Sequence, residues 1–424
     1  MPTDQFKRSR WVRVIGLGIG TVLGGCGNGT FFSDGGLTRP TLNLSTIGIG
    51  DETTHFEGLR NNALEEAELV ELTDAPRIIR GSISGSDDVD VYDLGFMAKG
   101  TRIVVDMTSD ATLDGALAIL DENGACLLVN DHRNVYLGQK APFIDIVTRR
   151  DTENCYVAVA ATPRFRANGN YALEARKIER TPVPASRPET VLLVFDGGSN
   201  VRIGGRAPVD VPVFDAGDID ARFARATSAI MARIVGLVRA DYAQHDVTIL
   251  STSEGATFDE TMTQLYFGTY DPGLLGVAEG VDEFNGTSAQ RAIIFTDTFA
   301  AFSRLEPTIE EIGTALANVA SHEIGHLLGL VHTRDAEGIM DVTASLNELL
   351  VDQSFRMSPL YSEVYPIGFQ NAGQTLLDAV GGTFDLTPFR NVGLPKIPAK
   401  FIDGSDEPSA RERLLLSSCG LGGH

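Results

Sequence analysis

The most informative stretch of the chain lies between residues 321 and 332 and reads Ser321-His322-Glu323-Ile324-Gly325-His326-Leu327-Leu328-Gly329-Leu330-Val331-His332. Residues four positions apart share one face of a helix, so His322 and His326 can direct their imidazoles at the same ion. Glu323 is rotated by about 100° from His322 and can reach a water molecule at that ion without binding the ion itself. Gly329 permits a positive φ, which lets the chain leave the helix and bring His332 to the same point.

Three imidazole nitrogens predict a Zn²⁺ site with His322, His326 and His332 as ligands and a fourth position open for water and substrate. An open position is typical of catalytic zinc. We therefore predict a zinc-activated water for which Glu323 is the general base. Any one of these histidines alone would indicate only a core or surface imidazole. The spacing of all three with the glutamate and the glycine makes the pattern specific.

The motif is followed eight residues later by Met340, within Gly338-Ile339-Met340-Asp341. Together they resemble the metzincin clan of zinc metallopeptidases. The resemblance implies a zinc endopeptidase in which Met340 lies in a tight turn beneath the metal. It covers roughly residues 190–385 and is sharp from 321 to 341. Some metzincins carry a tyrosine two residues after the methionine, and here that residue is Val342, so no tyrosine ligand is expected.

Strand and helix patterns alternate between residues 191 and 385, which predicts an α/β (α+β) domain with a mixed sheet and a long active-site helix. Four apolar runs predict strands: Val191–Phe195, Val247–Ser251, Leu274–Val281 and Arg291–Thr298. Three helices are expected: one from Asp218 or Asp220 to about Ala243, one starting at Thr308 in a capping box with Glu311, and one over Gln374–Val380.

The metzincin resemblance also suggests where a substrate would bind. It implies that an extended peptide pairs with the edge strand of the sheet, for which Leu274–Val277 is the candidate. Ile293–Asp297 directly precedes the long helix and is read as the inner strand. The segment Val342–Tyr365 would form the wall of the primed-side specificity pocket.

Residues 55–180 have a different sequence pattern, in which short strand-like runs are separated by Gly, Asn and Asp clusters. This pattern predicts an all-β sandwich. The expected strands are Ile79–Ile83, Val89–Phe96, Thr101–Met107, Ala116–Leu120, Leu127–Val129, Tyr156–Ala160 and Tyr171–Ala175. A short helix is expected over Asn61–Leu72. The runs 81–83, 88–92 and 169–173 resemble the bacterial pre-peptidase C-terminal domain, which implies a jelly-roll-like module. Residues 181–190 contain three prolines and are predicted to link the two domains, and residues 386–424 to form a poorly ordered tail.

Two further groups of side chains in the predicted sandwich have alternative interpretations. Asp87, Asp88 and Asp90 supply the oxygen ligands that Ca²⁺ prefers, or they lie on the solvent face of a strand. Cys126 and Cys155 are 29 residues apart in strand-like runs and form either a disulfide or two buried free thiols. No role is assigned to Cys419.

The first 25 residues are predicted to be a signal peptide. A basic head precedes the apolar run Val14–Leu23, whose ten residues are too few to span a bilayer. The run ends in Leu23-Gly24-Gly25-Cys26, which resembles the lipobox of bacterial lipoproteins. That resemblance implies acylation of Cys26, a flexible tether over residues 26–54, and attachment to the bacterial cell envelope, with the outer membrane favoured. The alternative is an ordinary signal peptide and a secreted protein.

Composition limits the partners. The chain has 424 residues with 35 Lys+Arg and 57 Asp+Glu, a net charge of −22, which disfavours binding to nucleic acid. The predicted function is a membrane-anchored zinc endopeptidase acting on a protein or peptide. The main alternative is a catalytically inactive surface lipoprotein that acts as an adhesin or binding module, and a weaker one is a zinc hydrolase of a non-peptide amide. The sequence indicates neither a cleavage specificity nor an oligomeric state.

Overall fold

The computed structural model describes residues 54–58, 61–133, 139–163 and 168–383. The predicted signal peptide, Cys26, nearly all of the tether, Cys419 and the C-terminal tail lie outside the described residues. Within the described ranges, no helix combines the length and the apolar character needed to cross a bilayer.

The N-terminal part consists of two five-stranded sheets that pack face to face around one core, here called the sandwich. Its strands are β1 (Thr54–Phe56), β2 (Glu68–Leu69), β3 (Arg77–Ile83), β4 (Val89–Asp93), β5 (Arg102–Ser109), β6 (Gly115–Leu120), β7 (Cys126–Asn130), β8 (Phe143–Val147), β9 (Tyr156–Ala161) and β10 (Gly169–Ile178). The first sheet has the order β1-β3-β10-β5-β8 and the second β2-β4-β9-β6-β7. All seven predicted strands are present, with ends shifted by a few residues.

The predicted helix over 61–72 is wrong. Only Leu64–Glu66 forms a single 3₁₀ turn, and the chain then enters β2, which pairs in parallel with β4 through Glu68 and Tyr92. Pairing with a neighbouring strand overrides the local helix propensity of a short Glu- and Ala-rich stretch.

The second sheet is apolar on both of its faces. On β6 and β9, the bulky residues Leu117, Ile119, Val157 and Val159 face the interior of the sandwich. The alternate residues Ala116, Ala118, Ala158 and Ala160 face outward and are also buried. A sheet with one solvated face would carry polar residues at these positions, so this sheet is covered on its outer side as well.

Cys126 and Cys155 are free thiols, so of the two interpretations the free thiols are confirmed and the disulfide is wrong. The intervening strand explains why: Leu120 of β6 pairs with Cys126 on one side and with Tyr156, the neighbour of Cys155, on the other. The two cysteines are therefore separated by about two strand spacings, roughly 10 Å, whereas a disulfide requires Cα atoms within about 7 Å. Burial raises the pKa of both thiols.

The three aspartates proposed for Ca²⁺ are not brought together. Asp90 is fully buried, and its carboxylate accepts a hydrogen bond of 2.7 Å from the hydroxyl of Tyr171. Asp88 accepts the backbone N–H of Ser84 at 2.6 Å, and Asp87 is exposed. The alternative of a solvated strand face is also wrong for Asp90, because that residue points into the sandwich, where burial raises its pKa to about 7.

The C-terminal part contains a mixed sheet and five α-helices among the described residues. Its strands are β11 (Glu189–Val194), β12 (Gly198–Val201), β13 (Val209–Val211), β14 (Val247–Ser251), β15 (Thr263–Phe267), β16 (Gly276–Ala278), β17 (Arg291–Ile294), β18 (Met357–Pro359) and β19 (Phe369–Asn371). Its helices are α1 (Ala216–Ile219), α2 (Thr227–Asp241), α3 (Ile309–Leu327), α4 (Leu346–Leu349) and α5 (Ala372–Val380).

The main sheet has the order β14-β11-β15-β17-β16, parallel except for β16, which runs antiparallel to β17 at the edge. The predictions that residues near Leu274–Val277 form the edge and that the strand before the long helix is internal are confirmed. The predicted strand 274–281 is shorter, as β16, and β15 was not predicted.

The helices that cover this sheet follow the predicted pattern with one difference. The predicted helix ending near Ala243 is divided into α1, a 3₁₀ turn at Ala221–Phe223 and α2, because Asp215 and Asp220 each cap a new helical start. α3 begins at the predicted capping box, in which Thr308 and Glu311 satisfy each other's backbone N–H groups.

The proline-rich segment contains no helix or strand before β11 begins at Glu189. Its backbone is nevertheless hydrogen-bonded to the rest of the protein. Thr181 N–H donates to Gly100 O, and Arg187 N–H donates to Ala379 O, both at 2.8 Å. Arg149 of the sandwich donates to Pro184 O at 2.6 Å. The segment is therefore held by both parts of the molecule.

Candidate active site

α3 ends in a turn that redirects the chain immediately after His326. Gly329 has φ +94°, its N–H donates to His326 O at 3.0 Å, and Leu330 N–H donates to Gly325 O at 2.9 Å. This pair of hydrogen bonds is a Schellman motif, which satisfies the last carbonyls of a helix. A Cβ at residue 329 would lie 3.0 Å from Asp282 O, so the backbone angle favours glycine and a larger residue would also be tightly packed.

The turn brings His332 back to the two helical histidines. The Nε2 atom of His326 lies 3.1 Å from that of His322 and 3.1 Å from that of His332. Two nitrogens bound to one tetrahedral zinc at 2.0–2.1 Å lie about 3.3 Å apart, so the spacing fits such an ion. Among the described residues, these three are the one group of three or more His, Cys, Asp or Glu side chains whose ligand atoms gather within 4.8 Å.

Hydrogen bonds to carbonyl oxygens orient two of the rings. Nδ1 of His322 lies 2.7 Å from Ile339 O, and Nδ1 of His326 lies 2.8 Å from Leu330 O. A carbonyl can only accept, so each Nδ1 carries the proton and each Nε2 presents a lone pair to the centre of the cluster. Burial lowers the pKa of His322 to about 4 and that of His326 to about 3, and it lowers the pKa of His332 as well. The neutral rings suit metal binding at pH 7.

Glu323 is fully buried between α3 and the edge strand. Its carboxylate lies against Gly276 of β16, where an added Cβ would be 2.5 Å from Oε1. Gly276 therefore leaves space for the carboxylate of Glu323. It lies on β16, the edge strand with which a peptide substrate is expected to pair. Sequence reasoning did not identify Gly276, because its importance depends on a contact with a residue 47 positions away.

Met340 lies in a turn, as the sequence pattern indicates. Gly338 N–H donates to Asp335 O, Asp341 N–H donates to Gly338 O, and Thr333 N–H donates to Met340 O. Met340 is 2% exposed, and its Sδ lies 2.6 Å from the point where a Cβ of Gly325 would be. The sulfur thus packs directly on the helix between the two histidines.

A pocket opens beside His322. It is lined by Leu275, Asn318, Val319, His322, Ile339, Asp341, Leu349 and Gln353. The polar groups at its wall are already engaged: Asn318 Nδ2 donates to the carbonyls of Leu349 and Val351, and Gln353 Nε2 donates to Ala336 O. The predicted wall segment supplies only part of this lining. Asn318 and Val319 were missed, although they lie one helical turn before His322 and so on its face of α3.

Part of the chain, including the zinc motif, is similar to a known protein family. The matrixin family model, peptidase M10, matches residues 220–358, about a third of the chain. This match supports a zinc metallopeptidase, with protein or peptide as the class of substrate. No curated protein matches the chain significantly.

The solved structures that are similar to parts of the chain include two with related descriptions. Archaemetzincin from Methanopyrus kandleri is 19% identical with a TM-score of 0.23, covering 41% of this chain and 91% of that chain. The pre-peptidase C-terminal domain of collagenase from Bacillus anthracis is 19% identical with a TM-score of 0.22, covering 27% of this chain and 100% of that chain.

Proposed function

We propose that the protein is a metzincin-like zinc endopeptidase in which His322, His326 and His332 hold the metal and Glu323 is the general base. The observation that carries the proposal is the convergence of three buried, neutral imidazoles beside a buried glutamate. The matrixin match over residues 220–358 supports it.

When bound, zinc would polarise a water molecule and the carbonyl of the scissile peptide. Glu323 would take the proton of that water and pass it to the leaving amine. Burial of Glu323 against Gly276 limits the positions that its carboxylate can adopt, so the proton acceptor is already oriented before substrate binds.

Substrate would pair with β16, whose outer edge is not used within the main sheet. An extended peptide can add to such an edge as an antiparallel strand. The side chain that follows the cleaved bond would enter the pocket beside His322. Leu275, Val319 and Ile339 line that pocket, and its amide groups already have partners, so we expect it to select apolar side chains.

We also propose that the N-terminal sandwich is of the pre-peptidase C-terminal type and that the protein is anchored to the bacterial cell envelope through a lipid on Cys26. The support for the anchor is the order of basic head, short apolar run and Leu-Gly-Gly-Cys in the sequence.

The decisive experiment measures casein cleavage and bound zinc together. Wild-type protein should bind one zinc, cleave casein, lose activity with a chelator and regain it with zinc. Glu323→Ala should keep the zinc and lose roughly 10²–10⁴-fold in turnover, because only the base is removed. His326→Ala should lose both, because one of three ligands is gone.

Two outcomes would overturn the proposal. Wild-type turnover in Glu323→Ala would exclude the proposed base. A wild-type protein that binds one zinc and cleaves no protein at any pH would favour the inactive binding module instead.

A further inference from the structure

The outer face of the second sandwich sheet is covered by the C-terminal part of the chain. Leu360, Val364 and Tyr365 are buried in one apolar cluster with the outward residues of β4, β6, β7 and β9. Tyr365 is 0% exposed. The alanines at 116, 118, 158 and 160 make this face of the sheet shallow enough for large side chains to lie on it. The covering segment, residues 360–370, is called the bridge segment below.

Backbone hydrogen bonds join the bridge segment to the sandwich. Phe369 N–H donates to Gly124 O at 2.9 Å, and Ala125 forms a parallel β-bridge with Phe369. Gly368 has φ +94°, and a Cβ at that position would lie 3.2 Å from Gly124 O. The turn between β6 and β7 is thus in direct contact with the start of β19.

The same segment holds the chain on both sides of His332. Tyr361 N–H donates to His332 O at 3.0 Å, and Leu360 bridges Thr333. The side chain of Gln370, 3% exposed, accepts the N–H of Val331 at 2.6 Å and donates to its carbonyl at 2.9 Å. Both backbone groups of Val331 and the carbonyl of His332 are therefore bonded to residues of the bridge segment, whereas the N–H of Thr333 is bonded to Met340 O.

A second contact reaches the turn at Gly329. Arg149 of the sandwich lies 4.5 Å above the ring of Phe284, which packs against the sandwich core. Two residues earlier, Asp282 N–H donates to His326 O at 3.0 Å. The carbonyl oxygen of Asp282 is the atom nearest to a Cβ added at Gly329, at 3.0 Å.

His332 differs from the other two candidate ligands in how it is held. His322 and His326 are fixed by the backbone of α3, whereas His332 follows the helix in a stretch without helix or strand structure. Its position depends on the neighbours that its backbone bonds to.

We propose that the sandwich is a positioning element of the active site, which holds His332 in place through the bridge segment. The inference rests on the proposed function in that His332 is taken as a zinc ligand. Under this inference the sandwich helps to build the zinc site, and its role is not that of an adhesin or binding module. Gln370 is the positioning residue nearest to the ligand.

The test compares three variants of the full chain. Ala118→Met enlarges an outward, fully buried residue of the sandwich and should displace the bridge segment. Gln370→Leu keeps the side chain similar in size and removes both hydrogen bonds to Val331. Thr108→Met, on a strand of the other sheet that lies away from the bridge segment, is the matched control.

The first readout is the rate at which the zinc-loaded protein releases its metal to a chelator. Changes in groups that orient metal ligands typically cost about 10- to 100-fold in metal affinity, and a similar acceleration is expected for Ala118→Met and Gln370→Leu. Thr108→Met should release zinc at the wild-type rate.

The second readout needs neither zinc nor activity, so it stays informative even if the proposed function fails. Amide hydrogen exchange of the metal-free chain should rise over residues 330–334 in both variants, while the amides of β5 and β10 stay protected as in the wild type. Wild-type exchange and wild-type zinc release in Ala118→Met would overturn the inference whatever Gln370→Leu shows, because only Ala118→Met alters the sandwich itself.

Discussion

At the scale of single residues, the three histidines and Glu323 are buried, and specific contacts fix the orientation of His322, His326 and Glu323. The histidines are neutral because they are buried, and the carbonyls of Ile339 and Leu330 fix which nitrogen faces the centre. Glu323 is equally buried, and the absence of a side chain at Gly276 gives its carboxylate space. These residues act as one unit, so small changes in shape should have large effects on activity.

Gly276→Ala tests this directly. The added methyl would lie 2.5 Å from Oε1 of Glu323, so the carboxylate must move. We expect turnover of casein to fall about 10²-fold, since a misplaced base loses much of its contribution, while bound zinc remains at one per chain. Gly85→Ala, whose new methyl contacts nothing within 4 Å, is the control. Full activity in Gly276→Ala would show that the base tolerates displacement.

Asp90 provides a second prediction, about pH. Its pKa is about 7 in the folded protein, above its ordinary value of 3.8, because of burial. Between these two values the folded state holds a proton that the unfolded state has lost. The free energy of unfolding should therefore fall as the pH rises from about 4 to about 7, by at most about 4 kcal/mol from this group.

The corresponding measurement is urea unfolding of Asp90→Asn at pH 4 and pH 8. The free energy of unfolding of Asp90→Asn minus that of the wild type should be larger at pH 8 than at pH 4. The reason is that the wild type must bury a charge at pH 8, whereas an amide carries none. Asp87→Asn, at an exposed position, should follow the wild type at both values. An equal effect of Asp90→Asn at both pH values would mean that burial does not raise the pKa of Asp90.

The zinc motif was predictable because its geometry is local: helix periodicity alone aligns His322 with His326, and Gly329 marks the helix end. Gly276, Asn318 and Gln370 were not predictable from their neighbours in sequence. Each matters through a contact with a residue at least 31 positions away. The choice between a disulfide and two free thiols stayed open for the same reason, because the spacing of two cysteines along the chain does not show which strand lies between them.

At the scale of elements, the end of α3 is the part most sensitive to substitution. Gly329→Ala would force an alanine to φ +94° and bring its methyl to 3.0 Å from Asp282 O. We expect it to destabilise the protein by roughly 1–3 kcal/mol and to weaken zinc binding, because the turn that carries His332 must shift. Chemical denaturation and zinc titration would measure the two effects.

The matched control is Gly236→Ala in α2. This glycine is exposed within a helix, and nothing lies within 4 Å of its added methyl. The same substitution should here stabilise the protein by about 0.5–1 kcal/mol, since alanine is the better helix former. Equal changes in stability and zinc binding in Gly329→Ala and Gly236→Ala would contradict the inference that the turn at Gly329 positions His332.

Elements with strong local signals were predicted well, among them α3 with its capping box at Thr308 and the strand over 247–251. The helix over 61–72 failed where a parallel strand pair competes with local propensity. The short strand β15 was missed because its run Thr-Gln-Leu-Tyr-Phe has no clear alternation, and only its position between two other strands makes it part of the sheet.

At the scale of the whole molecule, the sandwich and the C-terminal part bury an apolar surface between them. The runs Gly115–Leu120 and Tyr156–Ala161 contain no polar residue at the alternate positions, apart from Tyr156 at a strand end, which is typical of a sheet buried on both faces. The sequence thus contained a signal of this interface. It did not indicate that the partner was residues 360–367 of the same chain.

A fragment of residues 54–180 should therefore be poorly soluble alone. Removing the C-terminal part would expose the outer face of the second sheet, a contiguous apolar patch of the kind that drives association. We expect concentration-dependent oligomers in size-exclusion chromatography. The same fragment with Val91→Thr and Leu120→Gln should be more soluble, because both residues lie on that face. A wild-type fragment that stays monomeric at high concentration would contradict the prediction.

The covered sheet also sets an order of events during biosynthesis. Ala160 and Leu360 are 200 residues apart in sequence. Because a chain is synthesised at about 5–20 residues per second, the residues that cover the outer face of the sandwich are made roughly 10–40 s after that face. Any process that delivers the chain from its N-terminus imposes the same order. During this time the nascent sandwich presents an uncovered apolar face, and a chaperone that shields it would act after residue 180 and before residue 360.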